Sequence, residues 1–446
     1  MLVIIVGAGK IGFNLAKILA REDYDVVLIE KEKAAVENLE EYLDIQVLIG
    51  DGVKRSVLEK AGVQAADLFI AVTASDEVNL VACMVAKTYG SIKTVARVRN
   101  PEYAYLSRRK KETFPGVDYF INPELILAKE IIKLIDVPEA LDVVYYAEGK
   151  IQLLELKITA EAPIVKRQIK DLKASNVFLI AAIVRDEQVI IPRGEDFIYP
   201  DDTIFVLAKT KEMIAVEHFL GTKRTQVEHI MIFGGNYTAY HLASILEKRG
   251  YQVKIIEPDY QKGVELSQQL QTAMVLHGNP TDLNFLANEG IDNIDVFVSL
   301  ATDDQLNLLV SLIVKDLGVR RTVARVGRTD YLALLEKVGL DIGISPWVLI
   351  ANRILRFIRH EHDLLSITLL GNEHAEMAEL LVTENSPVAY RQLKVLDFPR
   401  GSLVGSIYRE REVIIPRGDD FLKPGDHITL FALPDVAAKA IKYITG

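Results

Sequence analysis

Short β-branched runs alternate with amphipathic stretches along the first part of the chain. The pattern predicts strands at 2–6, 25–29, 45–49, 68–72, 94–98 and 118–121, with helices between them, such as 11–21 and 77–89. The runs are apolar almost throughout rather than alternating, as in strands covered on both faces. Such strands with helical connections predict a doubly wound parallel sheet.

After Asn122-Pro123 the pattern changes. An amphipathic helix is predicted at 124–134, ended by Pro138, followed by strands at 151–156, 178–183, 189–191 and 203–207 and a helix at 211–220. Pro192-Arg193-Gly194 forms a turn. This is a small α+β domain of antiparallel character.

The whole arrangement then returns. Ala71 to Asn79 matches Ser299 to Asn307, Thr94 to Val98 matches Thr322 to Val326, Ile121 to Pro123 matches Ile344 to Pro346, and Ile190 to Phe197 matches Ile414 to Phe421, at offsets of 223 to 228. The second copy predicts a helix at 347–359 and strands at 366–370, 379–382, 402–407 and 428–431. Four domains are expected: two α/β domains with their crossover helices at 1–138 and 225–362, each followed by a small α+β domain, at 139–224 and 363–446. A length of 446 residues agrees with several domains rather than one core.

A net charge of −10 argues against nucleic acid or an anionic membrane as the main partner. A local basic patch remains at Arg97, Arg99, Arg108, Arg109, Lys110 and Lys111. The single cysteine, Cys83, forms no intrachain disulfide, fits a reducing cytoplasm and lies among core-like neighbours. No stretch is long enough to cross a bilayer, and the N-terminal run lacks a signal peptide's basic flank. The expectation is a soluble protein that reaches a membrane only through a partner.

The chemistry begins at Gly7-Ala8-Gly9-Lys10-Ile11-Gly12, directly after the first strand. Glycines there let the backbone turn tightly and approach a phosphate, whose charge the helix amides hold. Glu30 ends the second strand, 23 residues after Gly7, where a carboxylate accepts both hydroxyls of an adenosine ribose and repels a 2′-phosphate. This Rossmann-type arrangement suits NAD or NADH, and equally ATP or ADP. Asp51 and Gly52 end the third strand, with Asp51 placed to accept from an adenine amino group; Thr73 and Ala74 end the fourth, at the topological switch point. Lys10 is either a ligand for a terminal phosphate or a surface lysine, and Arg97 either binds phosphate or a subunit or pairs with a carboxylate.

The second loop departs from the first. Gly234, Gly235, Asn236, Tyr237 and Thr238 precede Ala239, so Asn236 and Ala239 replace the second and third glycines. Glu257 survives. Two readings stay open: a weakened nucleotide site of these residues with Thr302 and Arg325, or a structural remnant.

Nothing accompanies the intact loop that would catalyse hydride transfer, the alternative reading being an NAD-dependent oxidoreductase. All eight histidines lie in the later part of the chain. His360-Glu361-His362-Asp363 reads as a helix-end turn rather than a metal site, and Arg193 and Arg417 as exposed turn arginines. No catalytic or metal-binding residues are expected.

The first loop, Glu30, Gly50-Asp51, Val72 to Asp76, Val95 to Arg99 and Ile121-Asn122-Pro123 resemble the TrkA N-terminal or RCK domain. Ile191 to Gly194 and Asp202 to Ile204 resemble its C-terminal companion. The tandem order is similar to the TrkA family. That resemblance implies a non-enzymatic regulatory subunit, peripheral to the inner face of the membrane. It implies binding of NAD(H) or ATP/ADP, a homo-oligomeric, tetrameric ring, and gating of a Trk-type potassium transporter or channel. Lys10 and Arg97 would sense a terminal phosphate or a subunit contact.

Overall fold

The computed structural model describes residues 1–21, 24–33, 45–100, 103, 115–172, 177–186, 188–222, 225–328, 331–359, 364–370, 375–410 and 412–446. They divide into two compact units, each drawing on both repeats: Met1–Ile131 with Glu228–Ile354, and Ile132–Val227 with Leu355–Gly446.

The first unit holds two parallel sheets. One comprises β1 (Leu2–Val6), β2 (Asp25–Glu30), β3 (Gln46–Ile49), β4 (Leu68–Ala71), β5 (Lys93–Arg97) and β6 (Tyr119–Ile121), ordered β3-β2-β1-β4-β5-β6. The order reverses between β1 and β4, which opens the crevice where such sheets bind ligands. Val3, Ile4, Ile5, Leu28, Ile29, Phe69 and Ile70 are fully buried, so the strands are covered on both faces as their composition predicts. Each such side chain contributes about 1.5–3 kcal/mol by leaving water.

The other unit contains two antiparallel sheets. The first has β7 (Ala140–Tyr146), β8 (Ile151–Lys157), β9 (Phe178–Arg185), β10 (Gln188–Ile190) and β11 (Thr203–Lys209), ordered β10-β9-β11-β8-β7.

The second repeat rebuilds both. Its parallel sheet is β12 (His229–Phe233), β13 (Gln252–Glu257), β14 (Met274–His277), β15 (Val296–Ser299), β16 (Arg321–Arg325) and β17 (Ile342–Ile344), ordered β14-β13-β12-β15-β16-β17. Its antiparallel sheet is β18 (Leu364–Leu370), β19 (Ala375–Leu381), β20 (Ser402–Arg409), β21 (Glu412–Ile414) and β22 (His427–Ala432), ordered β18-β19-β22-β20-β21. The fold is therefore tandem doubly wound α/β with small α+β partners.

Three elements were not visible in the residue pattern. In β7 buried positions do not alternate with exposed ones, so the period-two signal is missing. The β21 run spans only three residues. The helix Pro434–Thr445 begins with proline at its first turn and closes the chain against β19 and β22. Arg108 to Lys111, His360 to Asp363 and His374 lie outside the described residues.

Candidate functional site

β1 delivers the chain into the turn at Gly7, whose φ of +104° is open to glycine at little cost. A Cβ there would stand 3.1 Å from the Thr73 backbone, so the turn is pressed against the end of β4. Gly12 is needed for a second reason: a Cβ would lie 1.8 Å from the Gly7 carbonyl oxygen. Gly9 differs from both, because nothing stands within 4 Å of its Cβ direction. It faces open space at the start of the helix Lys10–Arg21.

Glu30 closes the crevice from the end of β2. Its Oε2 accepts the Ala8 N–H at 2.6 Å, and its Oε1 accepts the Lys31 and Glu32 N–H groups at 2.7 and 3.0 Å. The carboxylate is thus oriented by backbone before any ligand arrives. Asp51 Oδ1 accepts the Val53 N–H at 3.3 Å.

The far wall depends on Asn79, a fully buried residue not singled out from the sequence. Its Oδ1 accepts the Thr73 N–H and Oγ1–H, and its Nδ2 donates to the Arg97 and Thr73 carbonyls. One amide therefore ties the ends of β4 and β5 together. Asn307 repeats the tie, donating to Ala301 and Arg325 carbonyls. Recurrence of this asparagine 228 positions later was the signal available in the sequence.

Arg97 pairs with Glu124 at 2.9 Å, both largely buried. Glu124 was likewise not foreseen. In the second repeat the residue following the equivalent proline is Trp347. Arg325 donates to the Ala301 carbonyl at 2.7 Å, and burial lowers its pKa against the pull of Asp304 and Glu124. Glu124, which only the first repeat supplies, thus pairs with Arg97 and, after Asp304, acts on Arg325.

These groups line one cavity of about 830 Å³. Gly7, Gly9, Lys10, Ile11, Glu30, Asp51, Gly52, Thr73, Ala74 and Arg97 all face it. Ala8 and Gly12 shape it from behind, through the hydrogen bond to Glu30 and the packing on Gly7. The second repeat completes it: Asn236, Tyr237, Thr238, Thr302, Arg325, Pro346 and Trp347 form part of the wall. Thr238 and Arg325, expected in a second cleft, lie against the first.

A second cavity of about 510 Å³ lies at the equivalent crevice, lined by Gly234, Gly235, Asn236, Tyr237, Glu257 and Thr302. Glu257 Oε2 accepts the Gly235 N–H at 2.5 Å, as Glu30 does for Ala8. Gly234 keeps the left-handed turn with φ of +97°.

The first cavity fits an adenosine nucleotide by the chemistry of its donors. A glycine cradle and helix amides suit phosphate, a fixed carboxylate suits a ribose diol, and Lys10, Arg97, Arg99 and Arg325 supply positive charge. No cluster of metal-ligating side chains occurs among the described residues. Cys83 is fully buried and its thiol is pushed well above the ordinary range by desolvation, which makes it inert. No helix among the described residues is long and apolar enough to cross a membrane.

Comparison with known proteins agrees with this architecture. The TrkA-N domain matches residues 3–123 and 230–346, and the TrkA-C domain matches 153–221 and 377–445. Trk system potassium uptake protein TrkA homolog 1 of Methanosarcina mazei is 36% identical, covering 99% of this chain and all of its own. Trk system potassium uptake protein TrkA of Halomonas elongata is 34% identical over 97% of this chain and 96% of its own. Among solved structures, the GsuK RCK domain has a TM-score of 0.65 at 18% identity, covering 98% of this chain and 93% of that one. The GsuK channel bound to NAD also has a TM-score of 0.65 and 18% identity, with 98% and 78% coverage. With both domain types present twice and full-length relatives above 30% identity, the chain belongs to the TrkA family.

Proposed function

We propose that this chain is the nucleotide-sensing regulatory subunit of a Trk-type potassium uptake system. The first cleft takes NAD(H), or ATP and ADP, and its occupancy gates a membrane potassium transporter or channel. Glu30 receives the ribose hydroxyls, the loop from Gly7 to Gly12 and the amides of Ile11 and Gly12 receive phosphate, and Asp51 meets the adenine amino group. Thr73, Ala74 and Gly52 bound the cleft. Lys10 and Arg97 reach toward a terminal phosphate. The nucleotide serves as a charged handle, and no bond in it is made or broken.

The observation that carries this reading is that one cavity is walled by both repeats. A ligand there touches two Rossmann domains at once, so it binds differently when their spacing changes. A nucleotide shifts a conformational equilibrium only by that difference in affinity.

The subunit acts in the cytoplasm, at the inner face of the membrane, as a homotetrameric ring. Support for self-assembly comes from matched exposed apolar positions: Val81 and Met84 on the helix Asp76–Lys87, and Leu309 and Leu312 on the helix Asp304–Asp316. Each pair recurs 228 residues on, so both repeats offer the same helix face to another copy. The domain limits follow the same scheme, 1–138, 139–224, 225–362 and 363–446.

Potassium flux into vesicles containing the Trk-type membrane subunit tests the reading. Flux should change when NADH replaces ATP in the presence of this protein and not in its absence. Flux insensitive to nucleotide, with the protein bound, overturns it.

A further inference from the structure

The two repeats carry the same turn and the same carboxylate, yet they treat their helix amides differently. Asn236 caps the helix Tyr237–Lys248, and its Oδ1 accepts the N–H groups of Thr238 and Ala239 at 3.0 and 3.2 Å. Its Nδ2 donates to the Leu300 carbonyl at 2.6 Å, just beyond the end of β15. The side chain therefore bridges the crevice at the switch point, from the glycine loop to the neighbouring strand. The amides it satisfies correspond to those of Ile11 and Gly12, where Gly9 has no side chain to offer.

We infer that Asn236 is the residue that bars nucleotide from the second cleft, because its carboxamide occupies the place of the phosphate. A phosphate entering there would have to displace two hydrogen bonds to the helix and one to the strand. The oxygen that accepts from the helix already plays the phosphate's part, and the residue cannot swing away without leaving the Leu300 carbonyl unpaired. Glu257 keeps the backbone bond that Glu30 makes, accepting the Gly235 N–H, so what the cleft lacks is phosphate affinity rather than the carboxylate. Each chain then holds one nucleotide, in the first cleft. The second loop serves instead as a fixed wall of that cleft, where Asn236, Tyr237 and Thr238 already lie.

This inference rests on the nucleotide reading of the first cleft, and the test separates the two. A Cβ at Gly9 meets nothing within 4 Å, so Gly9→Asp should set a carboxylate in the phosphate loop and silence the first cleft without disturbing packing. In that background, calorimetry with NADH and with ADP should show no binding, and adding Asn236→Gly should create one site per chain. Asn236→Asp, which keeps the cap and adds charge, should create none. More than one nucleotide bound per unmodified chain overturns the inference, because the second cleft would then accept nucleotide with Asn236 in place. No gain in a folded Gly9→Asp/Asn236→Gly chain also overturns it. The stoichiometry of the unmodified chain decides even where the double variant fails to fold. Failure of the first-cleft reading shows separately, as absence of binding in the unmodified chain.

Discussion

Glu30 and Ala8 are joined before any ligand arrives: the Ala8 N–H donates to Glu30 Oε2 at 2.6 Å, locking the end of β2 to the glycine loop. The Lys31 and Glu32 amides hold the other oxygen. A carboxylate fixed in this way loses little freedom on meeting a ribose. Glu30→Ala should weaken NADH and ADP alike, by about tenfold to 100-fold each, the worth of hydrogen bonds to a charged acceptor. Parallel titrations check this; an effect confined to one nucleotide would remove the ribose rationale.

Gly12 and Gly9 should fail in opposite ways. Gly12→Ala sets a methyl 1.8 Å from the Gly7 carbonyl oxygen, and neither atom belongs to a flexible side chain. The loop must move, at a cost of about 1–3 kcal/mol, and affinity should fall with stability. A Cβ at Gly9 meets nothing within 4 Å, so the melting temperature of Gly9→Asp should stay near that of the unmodified chain while nucleotide affinity is lost. Thermal melting beside calorimetry distinguishes the two; equal melting for both variants contradicts the steric argument.

Glu124 acts on two arginines. It pairs with Arg97 at 2.9 Å and attracts Arg325, while Arg97 Nε and Glu124 Oε2 are buried without a hydrogen-bond partner among the described residues. Glu124→Gln should destabilise the ligand-free protein by about 3 kcal/mol, since removing one partner leaves buried charge uncompensated. Denaturant unfolding measures it. A cost below about 0.5 kcal/mol, as at an ordinary surface position, would mean that water reaches the pair.

Asp295 gives a pH signature. Burial alone would raise its pKa, but the Glu228 and His229 amides and the Arg320 guanidinium outweigh that and hold it below the ordinary range. A depressed carboxyl stabilises the fold above its unfolded pKa and loses that contribution as pH falls through the folded value. Asp295→Asn should therefore cost about 2 kcal/mol at neutral pH. The gap from the unmodified chain should begin to shrink below about pH 4 and close further down. A gap independent of pH would assign the effect to packing instead.

How much of this could be read from residues alone varied with the kind of interaction. The places of the loop from Gly7 to Gly12 and of Glu30 are legible because their spacing along one chain sets them at the strand ends of one βαβ unit. The parallel strands are legible because burial on both faces demands continuous apolar runs. Arg325 and Trp347 were not legible as walls of the first cavity, because that depends on how one repeat packs against the other. Glu124 was hidden for a similar reason: its partner Arg97 lies 27 residues away on another element. Asn236 was half legible. Its place in the glycine loop marked a departure from the first loop, but its bond to Leu300 is a tertiary fact.

The account turns on a cleft that holds an adenosine nucleotide without transforming it, and one measurement addresses this most directly. Purified protein is titrated with NADH by fluorescence, then incubated with the same NADH and a panel of carbonyl compounds, and the nucleotide is recovered. Saturable binding with all NADH recovered unchanged is the predicted result. Steady oxidation of NADH coupled to carbonyl reduction, or no saturable binding at all, would contradict the account.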